Sequence, residues 1–200
     1  MTETALRTVL RTSRDVVQLL SRHFDFFPLD TATHSNLFHP GEGVTSEIVG
    51  KDASGGEFAL CEKAGSPTRP LLYVSSEGQA GTIGQSLASG LSTIIDLPYW
   101  MDCLKFSGGG QLAEMRRVIP LLEADHQKDA QKLQSSRNTL RVQLTLTQLS
   151  DPVRALHSAV TEFSALYPAY ASDGSRFGSL FNEFTVMSNA HWRRKLESSK

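Results

Sequence analysis

The sequence predicts an α+β protein, on three observations. Apolar residues recur every three to four positions near the start, alternate or run together between residues 57 and 74, and return to three-to-four spacing beyond residue 111. Turn residues separate these stretches. The expected layout is an N-terminal α+β unit over residues 1–106, followed by a helix-rich part over 107–200 on the same core.

Leu6, Val9, Leu10, Ser13, Val16, Val17 and Leu20 mark one face of an opening helix. Arg7, Arg11, Arg14 and Asp15 occupy its other face. Residues 25–47 read as mostly loop with a short strand near 46–49, because Pro28, Pro40, Gly41 and Gly43 punctuate them. Glu57-Phe58-Ala59-Leu60-Cys61-Glu62 alternates as a strand does. Leu71-Leu72-Tyr73-Val74 is a continuous apolar run, which suits a strand covered on both faces. A short Gly/Pro loop makes the two a hairpin. Thr82 and Gln85 have capping-box spacing ahead of a helix face of Ile83, Leu87, Leu91, Ile94 and Ile95, stopped at Asp96-Leu97-Pro98. Gly84 and Gly90 weaken that helix by ~1 kcal/mol each, so packing must hold it.

Ser107-Gly108-Gly109-Gly110 reads as a flexible joint between the two parts. Between Gln111 and Ser136 a three-four repeat is interrupted by Pro120, which predicts two helices or one kinked helix. Leu140, Val142, Leu144 and Leu146 alternate with polar residues, the cleanest period-two signal in the chain. Asp151-Pro152 is an N-cap and first-turn pair opening a helix through Phe163. Phe177, Leu180, Phe181, Phe184 and Met187 fit helix or strand, and the basic run from His191 to Lys195 reads as a frayed end.

Composition limits the function classes. Twenty Lys plus Arg against 21 Asp plus Glu gives a formal net charge of −1. A nucleic-acid binder needs a clear basic excess, so direct nucleic-acid binding is not expected. The balance conceals unevenness: residues 42–62 hold five acids and one base. Glu42, Glu47, Asp52, Glu57 and Glu62 read either as a solvated face or as a docking surface for a basic partner. Two isolated cysteines, Cys61 and Cys103, fit a reducing compartment. The opening residues lack a signal peptide's basic start and apolar run, and Leu87–Met101 is too interrupted to span a bilayer. The expectation is a soluble cytoplasmic protein with no membrane partner.

No motif announces chemistry. His34 and His39, with Asp30 and Glu42, are the nearest approach to a metal cluster, but neither H-x-H, H-E-x-x-H nor C-x-x-C occurs. No G-x-S-x-G elbow is present. Cys103 beside Asp102 reads as a nucleophile or, more simply, as a small buried hydrophobe. The glycines at 78, 81 and 84 and at 108–110 precede helical patterns, where amides attract phosphate, but lack phosphate-loop spacing. No cofactor and no metal is expected.

The segments Val49-Gly50-Lys51-Asp52-Ala53-Ser54-Gly55-Gly56-Glu57-Phe58-Ala59-Leu60, Pro70-Leu71-Leu72-Tyr73-Val74-Ser75-Ser76-Glu77-Gly78 and Gln85-Ser86-Leu87 to Leu91 agree in order and spacing with a known pattern. Over about residues 49–97 the chain resembles the SUKH superfamily of bacterial proteins. The resemblance implies a curved, mostly antiparallel sheet packed with helices. It also implies a non-enzymatic intracellular role: an immunity protein that neutralises a toxin, often a nuclease or deaminase, by direct occlusion. Glu77, in the acidic turn that ends the second matching segment, joins the five acids as a partner-binding candidate. The alternatives are a small-ligand or nucleotide-sensing regulatory module built on a Gly-rich loop, and an enzyme using Cys103 or Glu77. The oligomeric state is open.

Overall fold

A computed structural model describes residues 1–198; Ser199 and Lys200, beyond the basic run, lie outside the described residues. The opening helix divides in two, α1 (Glu3–Thr12) and α2 (Arg14–His23). Ser13 makes the break. Its backbone N–H closes α1 on the Val9 carbonyl, and its hydroxyl caps α2 at the Val16 amide. Serine favours that capping position over a place in an apolar stripe.

The sheet is larger than expected. Strands β1 (Phe27–Thr33) and β2 (His39–Pro40) occupy the stretch read as loop, and the short strand expected near 46–49 is part of a longer β3 (Val44–Lys51). Pro28 is tolerated because β1 is an edge strand, where a missing donor breaks no ladder on its outer side. The hairpin of β4 (Glu57–Lys63) and β5 (Leu71–Val74) forms as expected. It continues into β6 (Gln79–Gly84). The early capping box at Thr82 is thus corrected: Thr82 is buried in a strand, its hydroxyl donating to the Ala159 carbonyl at 2.6 Å. The true cap of α3 (Leu87–Asp96) is Ser86, paired reciprocally with Ser89.

Next come α4 (Trp100–Lys105), α5 (Leu112–Asp125), α6 (Ala130–Gln143) and α7 (Pro152–Phe163), the last capped by Asp151 as the sequence indicates. Pro120 sits inside α5; the break falls later, at residues 126–129. The alternation at 140–146 does not make a strand. Leu133, Ser136 and Leu140 are the buried face of α6, whereas Val142 is 81% exposed. Strands β7 (Ala169–Tyr170) and β8 (Gly178–Ser179) are two residues each, and residues 177–187 are otherwise irregular apart from a 3-10 turn at Val186–Ser188. The basic run is not frayed: α8 (Ala190–Glu197) buries Trp192, whose Nε1 donates to Asp125 at 2.7 Å.

The main sheet has the order β1-β3-β4-β5-β6-β8 and is antiparallel except for the β6–β8 pair. Bulges between Pro28 and Thr33 and between Ile48 and Gly50 bend its outer strands. Side-chain alternation gives it two buried faces. Phe58, Leu60, Leu71, Tyr73 and Ile83 meet the helices, and that cluster extends from Leu6 through Leu156 and Leu180 to Trp192. Ala59, Cys61, Leu72 and Val74 meet Phe38, Tyr167 and Ala169, a thin cover that includes the β2–β7 pair.

Glycine sets the spacing between α3 and the sheet. A Cβ on Gly84 would lie 2.3 Å from the Gly90 amide nitrogen, and one on Gly90 would lie 2.5 Å from a Leu71 methyl. The two-glycine contact lets the helix backbone rest on the strand. Gly90→Ala is therefore expected to destabilise the fold by about 1–3 kcal/mol through overpacking. Helix propensity alone would give the opposite sign, a gain of about 1 kcal/mol. Urea unfolding of the variant reads that sign.

Candidate functional site

The acidic residues singled out in the sequence are divided by the sheet's register. Glu57 pairs with Lys51 and Val74, so Asp52, Glu57 and the β5–β6 turn carrying Glu77 share one end of the sheet. Thr45 pairs with Glu62, so Glu42 and Glu62 belong to the other end. Glu57 and Glu62 are five positions apart along β4, about 17 Å at strand rise.

Two of the acids are structural. Asp52 is 6% exposed. One carboxylate oxygen accepts the Ser54 and Gly56 amides at 2.8 and 2.7 Å, and the other accepts the Tyr73 hydroxyl at 2.5 Å. Burial, reinforced by that carboxylate, pushes the Tyr73 phenol well above its ordinary value. Glu57 is 3% exposed. It accepts the Ser35 hydroxyl at 2.5 Å and the Lys51 ammonium at 3.1 Å. Ser35 in turn accepts the Leu37 and Phe38 amides, so Glu57 clips the covering segment onto the sheet. Glu47 binds Arg7 and Arg69, which ties α1 to the sheet. Arg69 also reaches Glu3 and, at 3.4 Å, the exposed Glu62. Of these six acids, only Glu42 and Glu77 are exposed without an ion pair to another described residue.

Glu77 lines a cleft of about 470 Å³. The β5–β6 turn forms one lip. The Ser75 hydroxyl accepts the Glu77 and Gln79 amides, and Gly78 takes φ +87°, which a side chain would strain. Tyr73 and Trp100 form the floor, perpendicular at 4.9 Å between ring centres. Phe58 and Phe26 stack behind them, so the floor is part of the core. Helix α4 contributes Met101, Asp102, Leu104 and Lys105. The Lys105 ammonium lies 5.8 Å from the Phe106 ring centre. No cation lies within ion-pair distance of Glu77 or Asp102 among the described residues.

The far wall is Leu180, Asn182 and Phe184. The glycine run holds it there. The Gly108 and Gly109 amides donate to the Phe184 and Asn182 carbonyls at 2.8 Å each, and the Ser107 hydroxyl donates to Asn182 at 3.0 Å. Gly108, Gly109 and Gly110 all take positive φ. The amides that sequence reasoning weighed as a phosphate cradle are thus turned onto the chain's own later segment. Ser107 is fully buried and its neighbours are bonded on both sides, so this run is a fixed turn.

Sequence reasoning found Glu77 but missed Asp102 as part of the same surface. The Tyr99-Trp100 pair just after a helix stop was the available signal. The wall at 180–184 left none, because it arrives from far along the chain.

Cys103 is fully buried, with its sulfur 3.6 Å from the Met115 carbonyl. Cys61 is buried on the opposite face of the sheet. Burial pushes both thiols up from 9.0 to about 12. A buried, protonated thiol is a poor nucleophile. Among the described residues no group of three or more His, Cys, Asp and Glu gathers as a metal ion would need. No helix among them is long and apolar enough to cross a membrane.

Comparison with family models, with curated proteins and with solved structures returns no match.

Two outcomes follow from this geometry. Asp52→Ala is expected to cost about 2–3 kcal/mol, because it strands two amides and a phenol. In a Tyr73→Phe background the cost is expected to be smaller, and a double-mutant cycle of urea midpoints measures the difference. The thiols set an alkaline limit. Because the native state keeps protons that the unfolded chain loses, their contribution is complete below about pH 9 and declines as pH rises toward 12. Stability measured across that window is expected to fall less steeply in the Cys61→Ala, Cys103→Ala double variant.

Proposed function

We propose that the chain is a non-enzymatic intracellular binding protein that neutralises a bacterial toxin by covering it, as the resemblance of residues 49–97 to the SUKH superfamily implies. One observation carries the reading. A cleft of about 470 Å³ combines a buried aromatic floor with two carboxylates, Glu77 and Asp102, that no cation pairs among the described residues.

Such a surface suits a basic, amphipathic partner. The rim carboxylates attract Lys or Arg during encounter, and the more exposed apolar lining accepts the rest of the side chain: Met101 meets the apolar stem, and Phe184, 50% exposed, offers its ring to a guanidinium. Nucleases and deaminases that act on nucleic acid carry basic surfaces around their active sites, so covering that surface blocks the substrate. The docking surface first read over residues 42–62 is narrowed to one end of the sheet, centred on Glu77. Glu42 and Glu62 lie at the other end.

Co-expression with the product of the neighbouring toxin-like gene tests this. The wild-type chain is expected to relieve toxicity and to copurify with the toxin. Glu77→Lys and Asp102→Lys are each expected to weaken the complex at least about tenfold and to flatten its salt dependence, whereas Glu42→Lys leaves it unchanged. Absence of any toxin-like neighbour, or of protection and complex together, overturns the proposal.

A further inference from the structure

A second cleft, of about 440 Å³, lies between the end of α5 and the first half of α6. It shares no residue with the first. Arg137 and Gln134 line it from α6, Glu123 and Gln127 from the α5 side, and Tyr99 from the start of α4.

Arg137 is half-buried, and burial lowers its pKa from the ordinary value. Its Nε donates to the Ile95 carbonyl in the last turn of α3 at 3.0 Å, which fixes the plane of the guanidinium. Nη1 makes one long contact, 3.5 Å to Gln134 Oε1. Among the described residues no carboxylate lies within 4.0 Å of it. Asp96, beside Ile95, is already occupied. It takes Arg141 at 2.6 and 3.0 Å and the Leu149 amide at 2.7 Å. Glu123 is exposed at the rim.

Asp96 and Glu123 attract this half-buried guanidinium from a distance, but neither touches it, so most of its donors are unused, and its planar fork matches a carboxylate or phosphate. Apart from Glu123 at the rim, the other polar side chains here are neutral and can donate: the Tyr99 phenol and the Gln127 and Gln134 amides. Tyr99 is held by a stacked His126, 4.8 Å away and 19° off parallel, so its ring is a fixed wall. Helix α6 begins without a side-chain cap, and its first residue lines the same cleft. The volume falls within the range of small-molecule sites.

We propose that this cleft binds a small molecule through one carboxylate or phosphate group seated on Arg137, with an apolar or aromatic part against Tyr99. Glu123 at the rim disfavours polyanions, so the ligand carries a single acidic group.

Benzoate and phenyl phosphate are the probes, with benzamide as the neutral isostere, in calorimetric titrations at constant ionic strength. At least one acid is expected to bind saturably and benzamide is not; which acid binds distinguishes carboxylate from phosphate. Arg137→Gln is expected to weaken binding at least about tenfold, the loss of a charge-assisted bond, with partial recovery in Arg137→Lys. Because Arg137 also holds Ile95, Tyr99→Phe is measured in parallel. It removes one donor, leaves the stack, and is expected to weaken binding severalfold. Failure of both acids to saturate, equal binding of benzamide, or affinity unchanged in Arg137→Gln or in Tyr99→Phe overturns the proposal.

Discussion

The constraint on which the rest depends is that β4 and β5 are buried on both faces. Residues 57–61 and 71–74 are all buried, so each strand needs cover above and below. Helices α1, α2, α3 and α7 supply one layer and meet the sheet along β1 and β6. Among the described residues no helix contributes to the cluster on the other face. A segment around Phe38, the β2–β7 pair and Tyr167 do so instead. A thin layer of irregular chain has few ladder bonds of its own, so it is attached by side chains. Glu57 holding Ser35 is one such attachment, and Ser66 meeting Tyr167 at 3.2 Å is another. The acids of residues 42–62 are thereby drawn into fastening the fold, and the surface left for a partner is smaller than their number implies.

The cleft at the β5–β6 turn is assembled from three distant parts of the chain. The turn brings Glu77, α4 brings Asp102 and Trp100, and residues 180–184 close the side. What joins them is backbone. In a run of three glycines in the left-handed region, the Gly108 and Gly109 amides donate to the carbonyls of Phe184 and Asn182. A Cβ on Gly110 would meet the Phe181 ring at 2.8 Å, so the fit depends on absent side chains as much as on present ones.

Legibility in the sequence followed how local each signal was. The β4–β5 hairpin, the α3 stop and the Asp151 cap of α7 are written in neighbouring residues, and they form as read. Strand β1 was hidden by Pro28, whose cost vanishes only at a sheet edge, a fact of topology. The false strand at 140–146 came from alternation that a helix satisfies differently: Leu140 and Leu144 are one turn apart, and Val142 faces water. Strand β6 was masked because Thr82, Ile83 and Leu87 fit helical spacing; its pairing with β5 decided the matter. The same holds for the site. Glu77 stood out as an acidic turn. That Asp52 and Glu57 are interior groups depends on Tyr73, Ser35 and Lys51, which charge counting does not see. Arg137 gave no signal, since its isolation exists only where three helices meet.

The pairing of β6 with β8 has a consequence for synthesis. Residues 79–84 leave the ribosome long before residues 178–179 exist, so the sheet passes through a period with an open β6 edge. Unpaired strand edges recruit other strands, from the same chain or from a neighbouring one. Two residues of β8 are a short closure for that edge, but they come with the segment that Gly108 and Gly109 capture. The glycine turn therefore works as a catch that ends the exposed interval. A nascent chain stalled before residue 178 has neither the closed edge nor the cleft wall, and it is in that state, rather than in the finished protein, that this sequence is most open to aggregation.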